Sequence, residues 1–144
     1  MAILKSGLAL SLVMAVAMVS CATAPEPSVQ LTRWRTVLVT ATGSGVPGVV
    51  EGVSDKFTFN GRIHAHATLV AETPVVAFNP TINFKWLNAG KVVHERSGSY
   101  AINGSPYYLM HALPGSVVGI GAAKVEVYVD GRLVAMREFT VSER

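Results

Sequence analysis

Apolar and polar residues alternate along most of the chain after residue 30. The clearest case is the stretch 123–141, AKVEVYVDGRLVAMREFTV, in which two alternating runs flank Asp130 and Gly131. A period of two predicts strands, and Asp-Gly is typical of a type I′ turn, whose two central residues need positive φ. The end of the chain is therefore predicted to form a β-hairpin.

Further strands are predicted from the same alternation, with turn residues between them. No segment shows a sustained helical stripe with capping residues. Strands are expected over 33–40, once or twice within 56–70, in a hairpin over 81–96 that turns at 88–90, and over 105–113, whereas 41–48 and 114–122 are expected to be loops.

Seven or eight short strands favour one all-β domain over residues 30–142, folded as a single antiparallel β-sandwich. A domain of this length can bury a core of its own. The residues expected in that core are Val37, Val39, Phe57, Phe59, Ile63, Leu69, Ile82, Phe84, Trp86, Val93, Tyr108, Val125, Val127, Val134 and Phe139.

In the final hairpin, apolar residues occur on both faces of the predicted strands. With a two-residue turn, Val127 faces Val134, but Phe139 and Val141 then lie on the opposite face. Either a β-bulge lies near Arg137-Glu138, or both faces of the hairpin are partly covered.

Three segments, INFKWLNAGKVV, YYLMHALPG and GAAKVEVYVDGRLVAMREFTV, resemble small exported bacterial immunoglobulin-like domains of uncharacterised function. The resemblance covers residues 57–141. It consists of turn and core residues, so it implies a fold and no activity. Antibody-type domains pair two cysteines beside a tryptophan such as Trp86, whereas this chain has a single cysteine.

The first 20 residues are predicted to be a secretory signal. Lys5 is followed by an uncharged apolar run over 7–19, which is too short for a membrane of roughly 30 Å that needs about 20 residues. The run ends in Met18-Val19-Ser20-Cys21, which resembles the lipobox of bacterial lipoproteins. That resemblance implies cleavage before a diacylated Cys21. Ordinary signal cleavage a few residues later, or an uncleaved anchor, are the alternatives.

Lipidation would also explain why the chain has one cysteine. An exported domain meets oxidising conditions, in which a single unpaired thiol is unusual. Two or three acyl chains anchor a protein stably, at about 0.8 kcal/mol per buried CH₂. Residues 21–29 are expected to be a flexible tether. Ala22 after the cysteine resembles lipoproteins of the outer membrane, so the domain is expected in the cell envelope, facing the periplasm.

Composition and motifs argue against several function classes. The 12 basic and 9 acidic residues are scattered, so nucleic-acid binding has no electrostatic footprint. GSGVPG (43–48) matches G-x-G-x-x-G, but no helical pattern follows to bind a pyrophosphate, so no nucleotide or other cofactor is expected. No G-x-S-x-G motif occurs and the carboxylates lie singly, so an enzyme is not expected; an envelope hydrolase is kept as an alternative.

Two histidines form the sharpest candidate site. In RIHAHATLV the apolar residues take one face, so His64 and His66 take the other, about 6–7 Å apart. Such a pair can share Zn²⁺ or Cu²⁺ if another ligand arrives from elsewhere, and His94, His111 and Met110 are the candidates. The alternatives are two solvent-exposed histidines or a contact with a peptide or protein.

Apolar surface is the second candidate. Residues 69–80 carry Val76 and Phe78 between prolines. This segment is expected to form a loop, an edge strand open to a partner, or a segment that closes the sandwich. Of the adjacent Tyr107 and Tyr108, the first is assigned to the surface. The sequence therefore predicts a lipid-anchored, non-catalytic binding or assembly module that contacts other envelope proteins, with periplasmic metal binding as the alternative.

We predict that replacing Cys21→Ser abolishes incorporation of labelled palmitate when the chain is expressed in a bacterial host. The reason is that the lipobox resemblance implies acylation of the thiol and of the amino group of the same cysteine, so both depend on Cys21. Labelling that persists in Cys21→Ser would contradict the lipobox interpretation, and a Ser20→Ala variant, which keeps a small residue before the cysteine, should label as the natural sequence does.

Overall fold

The structure, a computed structural model, describes residues 33–144, so Cys21, the signal and the tether lie outside the described residues. Nine strands and one four-residue helix are found in this part of the chain, and it contains no helix with the length and apolar character of a membrane span. The elements are β1 (Trp34–Ser44), β2 (Val50–Val53), β3 (Lys56–Thr58), β4 (Arg62–Ala71), β5 (Thr81–Asn88), β6 (Lys91–Ser99), β7 (Tyr107–Pro114), α1 (Gly115–Val118), β8 (Gly121–Val129) and β9 (Arg132–Ser142).

The strands form two sheets that enclose the core. A four-stranded sheet has the order β2-β1-β4-β7, and a five-stranded sheet has the order β3-β9-β8-β5-β6. Neighbouring strands are antiparallel except for the three-residue pairing of β3 with β9. The predicted all-β sandwich is confirmed. It has nine strands because β2 forms where the alternation predicts none.

Both predicted hairpins turn at a glycine that follows a residue of positive φ. Asp130 and Gly131 have φ of 48° and 77°, and Ala89 and Gly90 have the same two values. These signs are those that a type I′ turn requires. The predicted loop over 114–122 instead contains α1 and the first residues of β8.

A β-bulge resolves the parity of the final hairpin. The register shifts just after Val127, which faces Ala135 and not the expected Val134. Phe139 is thereby brought to the core side, where it is buried. A bulge is therefore present, but its expected position near Arg137-Glu138 is wrong, because the extra residue lies close to the turn.

The core contains most of the residues expected there, with three errors. Val37, Val93 and Tyr108 are exposed. In β1 the buried side chains that face the core are Leu38 and Thr40, whereas the buried Ala41 lies opposite His64 on the other face, so the parity of this strand is the reverse of the expected one. Alternation could not decide the parity, since β1 carries apolar side chains on both faces. The expected core residues that are half-buried are Val39, Phe59 and Val134, and those that are buried are Phe57, Ile63, Leu69, Ile82, Phe84, Trp86, Val125, Val127 and Phe139.

One side-chain hydrogen bond crosses the core from sheet to sheet. The Trp86 Nε1–H donates to His111 Nδ1 at 2.9 Å, which joins β5 of one sheet to β7 of the other. Trp86 is fully buried and His111 is 6% exposed. His94, opposite Trp86 in the register, stacks on His111 with ring centroids 5.3 Å apart. Because Nδ1 accepts, His111 is neutral with its proton on Nε2.

The environment of His111 disfavours its charged form. Burial, together with the positive charges of His94 and Arg96, lowers the pKa of His111 to about 4. In the unfolded chain the pKa returns to about 6.5. As the pH falls from 6.5 towards 4, the unfolded chain binds a proton that the folded state does not, so stability is lost across this window.

We predict that the free energy of unfolding decreases by up to about 3 kcal/mol between pH 6.5 and 4, at about 1.36 kcal/mol per pKa unit. Urea unfolding at a series of pH values measures the slope. His111→Leu should remove most of that slope, whatever its effect on stability at pH 7. His94→Gln, which keeps the Trp86–His111 bond, should retain most of it, and an unchanged slope in His111→Leu would contradict the assignment.

Candidate functional site

The outer face of the four-stranded sheet, its side away from the core, carries the two histidines of the candidate site. In β4 the core takes the alternate apolar residues, so His64 and His66 point outward. The antiparallel register places Val39 of β1 and Met110 of β7 directly opposite His66, one on each side. The outer face therefore brings together residues from three strands.

The two imidazoles lie nearly parallel, with ring centroids 6.1 Å apart, close to the spacing of about 6–7 Å expected for this strand. The alternative of two solvent-exposed histidines is wrong for His66, which is 8% exposed. His64 is half-buried.

His66 is covered because the end of β1 bends over the outer face. Gly43 lies four residues beyond Val39, which an extended strand would place about 13 Å away at about 3.3 Å per residue. Its carbonyl oxygen nevertheless lies 3.3 Å from His66 Nε2. The β1–β2 ribbon therefore folds back across the sheet and shields this imidazole from water.

Residues 45–49, which connect β1 to β2, lie against Tyr108. A Cβ on Gly48 would be 2.8 Å from Tyr108 Cζ, and the φ of Gly48 is +87°. Glycine thus allows both the backbone conformation and the close approach to the ring. Between the loop and the sheet lies a cavity of about 160 Å³, lined in part by His66, Tyr108 and Met110.

Met110 is the third side chain that lies beside the histidine pair. Its Sδ lies 3.5 Å from His64 Nδ1. The other ligands considered from the sequence, His94 and His111, are on the core side and so are separated from the pair by the sheet. Within residues 33–144, histidine, cysteine and carboxylate side chains form no group of three around one point. Met110 is therefore the candidate for a third protein ligand at this face.

The electrostatic surroundings keep His64 neutral. Burial is the largest cause that lowers the pKa of His64, followed by the positive charges of His66 and Arg62. A neutral imidazole has one nitrogen lone pair that can accept a hydrogen bond or ligate a metal. Where Nδ1 donates its proton to Met110 Sδ, binding of a metal at Nδ1 needs only a shift of that proton to Nε2.

Only part of the partner surface expected from the sequence is exposed to solvent. Val76 is exposed, but Phe78 is half-buried with its ring centroid 5.5 Å from that of Trp34. The two adjacent tyrosines are reversed: Tyr107 is half-buried against the core, and Tyr108 is exposed. The error has the same origin as in β1, since two adjacent aromatic residues do not show which one faces inward.

A wider cleft, of about 390 Å³, lies at one end of the five-stranded sheet. Its lining includes Asp55, Lys56, Lys124 and Glu138, whose formal charges cancel. Lys124 is also paired with Glu126 at 2.6 Å. The cleft therefore offers a charged ligand no net attraction, and the outer face of the four-stranded sheet is the better candidate site.

Comparison with known proteins gives a fold and no family. No protein-family model and no curated protein match the sequence. An immunoglobulin-like protein from Pseudomonas aeruginosa superposes with a TM-score of 0.52 at 13% identity, over 78% of this chain and 98% of that one. An alkylpurine DNA glycosylase from Pseudomonas fluorescens gives 0.53 at 11% identity, over 77% of this chain and 31% of that one. A β-glucosidase from Listeria innocua gives 0.52 at 12% identity, over 77% and 16%.

The chain thus has the immunoglobulin-like β-sandwich fold that its sequence resemblance implied. It spans nearly all of the P. aeruginosa protein, but less than a third of the glycosylase and less than a fifth of the β-glucosidase. At 11–13% identity the likeness shows the fold alone. The same fold occurs in unrelated chains, so function must be argued from the site.

Sequence reasoning missed Tyr108 and the loop over 45–49 as parts of the site, and it left Met110 without a position. The one usable signal is the parity of β7: once His111 is inward, its neighbour Met110 must be outward. The pairing of Met110 with His66 needs the register of β4 and β7, which alternation alone does not determine.

We predict that Gly48→Ala lifts residues 45–49 away from Tyr108, because the new Cβ meets the ring and the φ is unfavourable for alanine. His66 should then react severalfold faster with diethyl pyrocarbonate, measured by peptide mass spectrometry. Gly104→Ala is the matched control, since a Cβ there has no atom within 4 Å. Unchanged reactivity of His66, or an equal rise in the control, would show that the loop does not shield it.

Proposed function

We propose that this protein is a non-catalytic binding module of the bacterial cell envelope, anchored by a lipid on Cys21. Its partner is another envelope protein, which contacts the outer face of the four-stranded sheet. The observation that carries this proposal is the amount of apolar side chain exposed on that face.

Apolar residues are exposed on several elements of the outer face. Val37 of β1 is 41% exposed, and Tyr108 and Met110 of β7 are 45% and 50% exposed. Val46 in the connecting loop and Val53 of β2 are 70% and 60% exposed. The water-facing side of an antiparallel sheet usually carries polar residues. Clustered exposed apolar side chains are typical of interaction sites.

The exposed side chains are arranged in rows across the strands. Val37, Thr68 and Tyr108 lie side by side in the register of β1, β4 and β7. The next row contains His66 and Met110. Tyrosine and methionine are enriched in protein interfaces, and a row held by backbone pairing loses little conformational freedom when a partner binds.

This surface replaces the one expected from the sequence. Phe78 and Tyr107 are half-buried against the core, so substituting them would disturb the fold before it disturbed a contact. Val37 and Tyr108 can be changed with much less loss of core packing, because both are exposed. They are therefore the better residues for a test of binding.

The lipid anchor and the location are supported by the sequence. The apolar run 7–19, the lipobox-like Met18-Val19-Ser20-Cys21 and the proline-containing tether over 21–29 follow one another in the order that lipoproteins use. Ala22 favours the outer membrane, with the domain facing the periplasm. An anchored module needs only moderate affinity, because confinement at a membrane raises the effective concentration of its partner.

We predict that Val37→Asp weakens recovery of co-purifying envelope proteins at least tenfold. A carboxylate in a desolvated apolar contact costs more than the about 1.4 kcal/mol that a factor of ten requires. The measurement is quantitative mass spectrometry of proteins crosslinked to the lipidated chain in intact cells.

Val92→Asp provides the matched control, because Val92 is an exposed strand valine of the five-stranded sheet. It should leave the crosslinked proteins unchanged. A partner set that is indifferent to Val37→Asp and to Tyr108→Asp would contradict the outer face as the contact surface, provided that circular dichroism shows both variants folded.

A further inference from the structure

Three side chains with metal-binding atoms converge on the outer face. His64 and His66 are two residues apart on β4, and Met110 lies directly opposite His66 on β7. The ring centroids of the histidines are 6.1 Å apart, and Met110 Sδ is 3.5 Å from His64 Nδ1. These three residues are called the His-Met cluster below.

The nitrogen–sulfur distance matches that of two ligands of one metal ion. With metal–nitrogen and metal–sulfur bonds of about 2.0 and 2.3 Å, as at zinc, a tetrahedral angle places the two ligand atoms about 3.5 Å apart. His64 Nδ1 and Met110 Sδ are 3.5 Å apart. Both atoms can therefore bind the same ion with little movement of either strand.

His66 has the hydrogen bond that orients many metal-binding histidines. Its Nε2 lies 3.3 Å from the carbonyl oxygen of Gly43. Since that oxygen can only accept, Nε2 carries the proton and the lone pair is on Nδ1. A backbone carbonyl on the far nitrogen is a usual outer partner of a ligating imidazole.

The ligand set and the local charge select among metals. A thioether is a soft ligand and favours Cu(I) over Zn²⁺ or Mg²⁺. Arg62 lies on the same face and acts on His64 electrostatically, so a monovalent ion meets less repulsion than a divalent one. The cavity beneath residues 45–49 and the burial of His66 also limit access of water to one side of the cluster.

We propose that His64, His66 and Met110 bind one Cu(I) ion. Two imidazole nitrogens and one thioether sulfur supply three ligands. Met110 is 50% exposed, so the ion would be reachable from the solvent side. This proposal does not depend on the protein contact proposed above, since it needs only the three side chains and the loop that covers them.

The experiment is an anaerobic titration of the full chain carrying Cys21→Ser, so that no thiol competes for the metal. Cu(I) is supplied from bicinchoninate, and the loss of the chelator complex is followed by absorbance. We expect one equivalent to bind. Met110→Leu should weaken Cu(I) binding by more than about tenfold, the effect that loss of even an outer partner can have. Binding of Zn²⁺, titrated separately, should change much less.

One variant acts as the matched control. Met136→Leu removes an exposed methionine of the five-stranded sheet, 47% exposed, and should bind Cu(I) as the parent does. Met110→Leu conserves volume and apolar character, so the fold should persist and a loss of Cu(I) binding cannot be ascribed to unfolding. The double variant His64→Ala/His66→Ala should lose the Cu(I) site altogether.

The result that would overturn the proposal is Cu(I) affinity that is unchanged in Met110→Leu, or reduced equally in Met136→Leu. Equal losses for Cu(I) and Zn²⁺ would overturn the selection of a soft ion. X-ray absorption of the loaded protein gives a second readout. One sulfur and two nitrogen scatterers are expected, and a first shell without sulfur would contradict the site even if copper binds.

Discussion

The hydrogen bond from Trp86 to His111 is the interaction on which the arrangement of the two sheets depends. A bond of this kind contributes only about 0.5–1.5 kcal/mol net, but leaving either buried group unpaired costs about 1–3 kcal/mol. Any packing that slides one sheet along the other would separate the pair and incur that cost. Antibody-type domains join their sheets by a disulfide beside the tryptophan, which the single cysteine at position 21 excludes here. The bond therefore selects one packing of the sandwich more than it adds to stability.

The same interaction determines what the outer face presents. With His111 held inward on β7, its neighbour Met110 must point outward. Ala65, which lies opposite His111 in the register, is inward on β4, so His64 and His66 on either side of it are outward. The His-Met cluster is therefore a consequence of the core packing, although none of its side chains belongs to the core. Ligands carried by paired strands are held more rigidly than ligands carried by loops.

The parts of this fold that could be predicted from the sequence are those in which local chemistry decides. Asp130-Gly131 specifies its turn through two positive φ values, and the alternation of β4 separates apolar from polar residues cleanly. The errors lie where both faces of a strand are apolar: β1 was assigned the wrong parity, and Tyr107 and Tyr108 were exchanged. The position of the bulge, the register of β4 with β7 and the covering loop depend on contacts between residues far apart in sequence. No periodicity encodes them, which is why Met110 could be named as a ligand but not placed.

Strand parity also divides the four histidines into two pairs with opposite chemistry. His94 and His111 are on the core side, where burial and neighbouring positive charge keep His111 neutral and its lone pair is used by Trp86. His64 and His66 are on the outer side, where the lowered pKa of His64 leaves a lone pair with no buried donor to satisfy. A lowered pKa is common to His111 and His64, so protonation does not distinguish these two. The difference is what lies against Nδ1: an indole N–H that donates to it inside the sandwich, and a thioether sulfur that can only accept outside it. Histidine thus serves as a hydrogen-bond acceptor on the core side of the sheet, at His111, and as a proposed metal ligand on the outer side, at His64 and His66.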